Sequence, residues 1–284
     1  MKIIIAIVIF SAIILFHELG HFLFAKLNKI VVTEFSLGMG PRLFSFEKGD
    51  TRYSLKLLPI GGSCAMLGTA NTMSALSESL GMSLMGSSTI PAVLAARMAK
   101  GVETGEKIVE LVQKGVTTRD ILTEDAFENA VMHLLTMGGS TNGILHLQAI
   151  YHEAGLGELP LSVFDEFSRR IPQVASIYPA SEFDMVDFYE GGGVPAVLKE
   201  IEGFLHKDTL TVSGLTMGEA LSRFSYTNNR NMIKTAEEPF APTGGVAILK
   251  GNIAPLGCVI KPAAVPKHMF RYSGRAQVFT TEEE

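Results

Sequence analysis

Residues 61–73 have the sequence GGSCAMLGTANTM, and this stretch divides the chain into two parts of different character. The preceding part is strongly apolar and contains His17, Glu18 and His21 in the pattern HExxH. The following part mixes polar and apolar positions, is punctuated by glycine and contains no second apolar run of membrane length. The stretch itself contains Cys64. We therefore interpret residues 61–73 as a boundary between two structural units.

The composition excludes several classes of protein. With 284 residues, 47% of them hydrophobic, the chain can bury a large core in one or two domains. Its net charge of -5, without a compensating basic cluster, argues against a nucleic-acid partner. Cys64 and Cys258 are the only cysteines, too few for a disulfide framework. This cysteine usage favours a reducing compartment and leaves metal or cluster ligation open.

The first segment predicts a membrane helix. Ser11 is the only polar residue of Ile3–Phe16, and the apolar character continues to Ala25. A helix of about 23 residues spans roughly 35 Å, enough to cross a bilayer core. A signal peptide is the alternative, but no small-residue cleavage site follows the apolar run. Because more positive charges follow the span than precede it, we expect a membrane-anchored chain with its main body in the cytoplasm. If the N-terminal segment does not belong to the natural protein, the expected location is cytoplasmic.

The HExxH pattern predicts a metal site within this segment. On a helix, His17 and His21 lie on one face and can hold one zinc ion, while Glu18 can deprotonate a metal-bound water. Ionisable residues are costly inside a membrane, and metal ligation accounts for their presence. A pair of neutral histidines at the membrane boundary is the alternative. The β-prone runs Val31–Phe35 and Tyr53–Leu58 follow and predict a hairpin.

Together, HELGHFLFAKLNK and the strand-prone residues up to Gly62 resemble the start of the site-2 proteases, which are intramembrane zinc metalloproteases. The resemblance implies that His17 and His21 are zinc ligands and that Glu18 is the catalytic base. In that family the third zinc ligand is an Asp in a later membrane helix. No later segment of this sequence is long and apolar enough to supply it.

Turn and capping signals predict a helix-rich body after Cys64. Glycines or prolines mark the ends of most segments, and Thr123 is the predicted N-cap of a central helix that ends at Gly138-Gly139. His146 is predicted to lie in the core. The predicted helices are Thr72–Leu80, Ile90–Lys100, Glu106–Lys114, Thr123–Met137, Asn142–Ala154 and Pro195–Phe204. Ser162–Arg170 and Met185–Tyr189 are predicted to be helical or turn-like. The predicted strands are Leu210–Ser213, Gly245–Lys250, Cys258–Lys261 and Ala276–Phe279.

Long strings in this body carry a second resemblance. They are SCAMLGTANTMSALSESLGMSL, ILTEDAFENAV, MGGSTNGILHLQAI, FDEFSRRIPQVASIYPASEFDMVDFYEGGGVPAVLKEI and LTVSGLTMGEAL. They resemble the dihydroxy-acid and sugar-acid dehydratases. The resemblance implies an iron–sulfur cluster as Lewis acid, Mg²⁺ at the substrate and a small hydroxy-acid substrate. It also implies that Cys64 is a cluster ligand, whereas a buried small hydrophobe is its ordinary alternative.

We accordingly expect an α/β protein with an N-terminal membrane helix, an incomplete dehydratase-like α/β body and the start of a β-rich domain. The predicted domains are residues 1–62, 63–237 and 238–284. The predicted function is that of a hydro-lyase converting a 2,3-dihydroxy acid into a 2-keto acid and water. It is expected to be inactive, because most cluster, Mg²⁺ and base residues of the family have no counterpart.

Two alternative functions are a membrane-embedded zinc metalloprotease and a non-catalytic binding or scaffold protein. A chimaera of the two families would account for the boundary. The expected partners are the membrane, a hydroxy acid and a second copy of the chain in a homodimer. The sequence does not predict which residues bind the substrate.

Overall fold

A computed structural model describes residues 34–37, 39–48, 51–58, 67–178, 180–225 and 229–281. Four predicted site residues, His17, Glu18, His21 and Cys64, lie outside these ranges. The chain divides into two compact units. The first comprises residues 1–66 with 90–101, and the second comprises residues 67–89 with 102–284.

The first unit contains a three-stranded sheet with the strand order β1-β3-β2. Its strands are β1 (Glu34–Leu37), β2 (Met39–Lys48) and β3 (Thr51–Leu58). β2 and β3 form an antiparallel hairpin, in which Phe46 stacks on the opposite residue Tyr53 at a centroid distance of 5.2 Å. β1 pairs with β3 in parallel. The prediction that the first and last of these β-prone runs form a hairpin is therefore wrong. β2, which directly precedes β3 in sequence, is the antiparallel partner of β3.

The helices follow the predicted turn and capping signals closely. Thr123 caps α4 by accepting a hydrogen bond from the Ala126 N–H at 3.3 Å, and Gly138 ends it in the left-handed region at φ 62°. Capping boxes start α3, α7 and α9. The helices are α1 (Thr69–Ser79), α2 (Ala95–Lys114), α3 (Thr118–Ile121), α4 (Glu124–Met137), α5 (Asn142–Glu153), α6 (Leu161–Arg170), α7 (Met185–Glu190), α8 (Gly193–Glu200) and α9 (Met217–Ser222).

Helix α4 is the centre of the second unit. Nearly all of its residues are buried, and it packs against α1, α5, α6 and α8. Phe127 and Leu134 are fully buried on it, and the Phe127 ring meets Tyr151 of α5 edge to face at 4.9 Å. Such apolar burial is the main favourable term in folding. The core thus forms around one helix that neighbouring helices enclose.

The structure also differs from the sequence prediction at α2 and at Leu210–Ser213. Ile90–Lys100 and Glu106–Lys114 were expected as separate helices, but α2 continues through Gly101 and Gly105. A glycine inside a helix costs only about 1 kcal/mol, which the surrounding turns can offset. Leu210–Ser213 is no strand, since Leu210 makes only an isolated bridge to Thr216.

The C-terminal region contains one small sheet within the second unit. β4 (Ala247–Leu249) and β5 (Cys258–Ile260) are antiparallel, and β4 packs against α6. The Ser168 hydroxyl of α6 donates to the Val246 carbonyl at 2.6 Å. The predicted strand Ala276–Phe279 is not formed, while short 3₁₀ turns occupy Pro262–Ala264 and Lys267–Phe270. The described body is therefore a mixed α/β structure with small sheets.

The prediction of a membrane-anchored chain is wrong for the part of the chain that the structure describes. Among the helices that the structure describes, none has both the length and the apolar character needed to cross a bilayer. The longest of them, α2, has a charged residue at every third or fourth position, and charges are costly in hydrocarbon. The predicted span Ile3–Ala25 itself lies outside the described residues.

Candidate functional site

The N-terminal ends of α1 and α5 meet at a polar surface, which we call the helix junction. It consists of Thr69 and Thr72 from the first turn of α1, with Ser140 and Asn142 from the start of α5. The left-handed Gly138 ends α4 and turns the chain towards α5, which places residues some 70 positions apart side by side. Asn142 is exposed, so the junction is accessible from solvent.

Hydrogen bonds hold the junction together. The Thr69 hydroxyl lies 3.1 Å from the Ser140 hydroxyl and accepts from the Asn142 amide at 2.9 Å. The Ser140 N–H donates to the Thr72 hydroxyl at 3.0 Å. Neither helix start is closed by a hydrogen bond from its N-cap side chain. Hydroxyl, amide and helix N-terminal groups that can pair with an anionic, hydroxylated ligand thus face one surface.

Two glycines allow the close approach of these helices. A Cβ atom on Gly139 would lie 2.7 Å from Leu134 Cδ1 and 2.9 Å from Thr72 Cγ2. A Cβ on Gly143 would meet the same two atoms at 2.9 and 3.3 Å. Real carbon atoms do not approach so closely without displacement. The glycines in the string GGSTNG are therefore required by packing beneath the junction.

A buried carboxylate organises the loop that follows α1. Glu78 is fully buried, and its two carboxylate oxygens accept the backbone N–H groups of Gly86 at 2.7 Å and Ser88 at 2.6 Å. Hydrogen bonds to an ionised acceptor are about twice as strong as neutral ones. Glu78 thus fixes the conformation of residues 86–88 against α1.

Helix α4 carries a buried histidine. His133 Nδ1 lies 3.0 Å from the Ser79 hydroxyl, and His133 Nε2 has no hydrogen-bond partner among the described residues. Burial lowers the pKa of His133 to about 3, because the charged imidazolium loses its hydration. His133 is therefore a neutral core residue. His146, by contrast, was predicted to lie in the core and is exposed.

Asp125, Glu128 and His206 are the one group of potential metal ligands found within the described ranges. His206 Nε2 lies 2.6 Å from Glu128 Oε2, and His206 Nδ1 lies 3.8 Å from Asp125 Oδ1. Mg²⁺ strongly prefers an octahedral shell of oxygen atoms. An imidazole between two carboxylates does not fit that preference. None of these residues was predicted as a site residue, because the histidine is remote in sequence from the two acids.

The chain also does not fit an iron–sulfur cluster by itself. Such clusters are commonly held by four cysteine thiolates, and this chain has two cysteines. Cys258 is exposed on β5, and Cys64 lies outside the described residues. The zinc set predicted from His17, His21 and Glu18 lies outside them as well. No reaction step is therefore assigned to a metal or cluster held by this chain.

The described residues define a helix-rich α/β body with a polar helix junction. Residues 47–220 match the family model for the dihydroxy-acid/6-phosphogluconate dehydratase N-terminal domain, and residues 231–284 match the model for the C-terminal domain. The residues of the junction lie within the first of these matched ranges. The chain belongs to the dihydroxy-acid/6-phosphogluconate dehydratase family.

Curated relatives agree with this assignment. The dihydroxy-acid dehydratase of Ignicoccus hospitalis is 47% identical over 244 residues, which cover 84% of this chain and 44% of the relative. The dihydroxy-acid dehydratase of Caldanaerobacter subterraneus is 47% identical over 228 residues, which cover 80% of this chain and 41% of the relative. The dihydroxy-acid dehydratase of Methanococcoides burtonii is 47% identical over 226 residues, which cover 78% of this chain and 41% of the relative. The chain spans less than half the length of the curated relatives it matches.

The family match extends across the predicted boundary at residues 61–73. The dehydratase match begins at residue 47, within β2 and upstream of that boundary. The comparisons support neither a site-2 protease N-terminus nor the zinc, metalloprotease and scaffold interpretations. They likewise do not support the predicted inactivity. The dehydratase family, which the long sequence strings predicted, is confirmed. The predicted domain limits and the homodimer stay predictions.

Proposed function

We propose that this chain provides the substrate-binding body of a hydro-lyase that acts on a 2,3-dihydroxy acid. The observation that supports this proposal is the helix junction. It brings together Thr69 of the string GTANTM and Ser140 of the string GGSTNG, with their hydroxyl oxygens 3.1 Å apart. Both strings belong to the segments that carry the family resemblance.

The junction has groups that suit each part of such a substrate. The N-terminal end of an α-helix carries partial positive charge, so α1 and α5 can attract the substrate carboxylate. The hydroxyl groups of Thr69 and Ser140 can donate to or accept from the two substrate hydroxyls. Asn142 orients the Thr69 hydroxyl by donating to it at 2.9 Å. The role proposed for these residues is binding and orientation.

The proposed overall reaction is a β-elimination of water. The C2 hydrogen leaves as a proton and the C3 hydroxyl leaves with the bonding electrons, so that together they form water. The resulting enol takes up a proton at C3, loses the proton of its C2 hydroxyl and becomes a 2-keto acid. This finer assignment rests on the names of the relatives, which are dihydroxy-acid dehydratases. The family model also covers 6-phosphogluconate dehydratases, so a sugar acid is the competing substrate class.

Calorimetric titration of the full chain with 2,3-dihydroxypropanoate tests the proposal. Thr69→Val removes the hydroxyl but keeps the side-chain shape. Loss of one hydrogen bond to the substrate, of about 1.4 kcal/mol, is expected to weaken binding about tenfold. Thr118→Val, an exposed threonine on α3, is the matched control and leaves binding unchanged. Gluconate titrated in parallel distinguishes the sugar-acid class.

Equal binding by the wild-type chain and Thr69→Val would contradict the proposed role of the junction. Failure of both acids to bind the wild-type chain would contradict the proposed function. Folding of each variant is checked by circular dichroism before titration.

A further inference from the structure

A cluster of three metal-ligating side chains lies on a different part of the second unit from the helix junction. Asp125 and Glu128 belong to the first two turns of α4, and His206 lies in the segment that follows α8. We call these three residues the α4 cluster. One imidazole nitrogen and two carboxylate oxygens converge there, with the ligand atoms within 4.8 Å of one another. These distances are short enough for small side-chain rotations to bring all three atoms to one ion, at ordinary bond lengths of about 2.0–2.2 Å.

The imidazole of His206 is close to both acids. Its Nε2 lies 2.6 Å from Glu128 Oε2, and its Nδ1 lies 3.8 Å from Asp125 Oδ1. The side chains of Glu128 and His206 are slightly more than one third exposed, and that of Asp125 is 63% exposed. The cluster is therefore open to an ion from solvent, and water can complete the coordination of that ion.

A buried side chain fixes the position of His206. Asn129, which follows Glu128 on α4, is fully buried. Its Oδ1 accepts the His206 N–H at 2.8 Å, and its Nδ2 donates to the His206 carbonyl at 3.0 Å. The same Nδ2 lies 3.2 Å from the Thr209 hydroxyl. The backbone of His206 is thus attached to α4 on both sides, so an ion does not have to order this segment when it binds.

Helix electrostatics account for only part of the arrangement. Acidic residues in the first turn of a helix interact favourably with its dipole, which explains Glu124 and Asp125. That interaction does not require an imidazole from a residue 78 positions away in sequence. Negative charge also accumulates here, because Glu124, Asp125 and Glu128 all lie in the first two turns of α4. A cation at the cluster would neutralise this charge.

We propose that Asp125, Glu128 and His206 bind one divalent first-row transition-metal ion. Imidazole together with carboxylate suits ions such as Zn²⁺, Ni²⁺ and Cu²⁺, whereas Mg²⁺ and Ca²⁺ prefer oxygen ligands alone. Metal ligands must be deprotonated, so protons compete with the ion for these side chains. The structural effect of the ion is to join the start of α4 to the segment after α8. The proposal is independent of the function assigned to the helix junction.

Equilibrium dialysis of the full chain against Zn²⁺ at pH 7.5 tests the proposal. We expect the His206→Gln and Glu128→Gln variants each to bind one equivalent of zinc fewer than the wild-type chain. If that equivalent still binds, we expect its affinity to fall by at least about tenfold. The matched controls are His146→Gln and Glu153→Gln, exposed residues of α5 outside the cluster. His17, His21 and the two cysteines are present in every variant, so zinc bound elsewhere is the same in all of them.

Two further measurements sharpen the result. Mg²⁺ at a hundredfold excess over Zn²⁺ is expected to leave the bound zinc in place, and lowering the pH from 7.5 to 5.5 is expected to release it. Unchanged zinc binding in both folded cluster variants would overturn the proposal. Equal loss in the cluster variants and the controls would overturn it as well. If His206→Gln does not fold, the comparison of Glu128→Gln with Glu153→Gln decides the outcome.

Discussion

Replacing Asn129 by alanine tests whether a buried amide holds the segment after α8 to the central helix. The side chain makes three hydrogen bonds, at 2.8 and 3.0 Å to the backbone of His206 and at 3.2 Å to the Thr209 hydroxyl. Each such bond contributes about 1 kcal/mol net. We therefore expect Asn129→Ala to lower the free energy of unfolding by about 3 kcal/mol.

The assay is urea unfolding of the full chain followed by circular dichroism, with thermal unfolding as a second measurement. For a chain of this size, about 3 kcal/mol corresponds to a fall in Tm of about 6–12 °C. Asn252→Ala, an exposed asparagine in the loop between β4 and β5, is the matched control and is expected to change stability by less than about 0.5 kcal/mol. A loss for Asn129→Ala no larger than that of the control would refute the reasoning.

Three other residues give predictions of the same kind. Glu78→Gln is expected to cost about 2–4 kcal/mol in urea unfolding, because a buried charged acceptor of two backbone N–H groups is lost. Gly139→Ala is expected to cost about 1–3 kcal/mol, whereas Gly203→Ala, whose Cβ meets nothing within 4 Å, serves as its neutral control. The pKa of His133 is lowered to about 3 in the folded state, so only the unfolded chain takes up this proton as the pH falls below about 6.5. Between pH 7 and pH 5 the free energy of unfolding of the wild-type chain should fall by about 2 kcal/mol more than that of His133→Leu. The same dependence of this free energy on pH in both proteins would contradict the prediction.

The cofactor chemistry gives one more expected outcome. Anaerobic incubation of the full chain with iron and sulfide is expected to give no stable cluster absorbance, since the chain has two cysteines and clusters commonly require four thiolates. Cys258 on β5 is exposed and meets no second cysteine among the described residues. A stable visible absorbance that disappears in Cys64→Ser would contradict this expectation. It would show that groups other than cysteine thiolates complete the ligands of the cluster.

The sequence by itself determined the helical framework and the family. Thr123 and Gly138 mark the ends of α4 because a side-chain cap and a left-handed glycine act within a few residues. The dehydratase strings are equally local, and the family model matches the residues that contain them. The N-terminal HExxH pattern gave a different inference, which the comparisons do not support. A short motif lacks the specificity of strings that continue over many residues.

Tertiary structure alone decided the contacts between distant segments. Whether α2 continues through Gly101 depends on the summed stability of the whole helix. A single residue of low helix propensity does not reveal that sum. The Thr69–Ser140 pair and the His206–Glu128 pair join residues 71 and 78 positions apart. Sequence periodicity reports which face of a helix is apolar, but not which helix it meets. Packing around α4 places these polar groups together, and their chemistry follows from that placement.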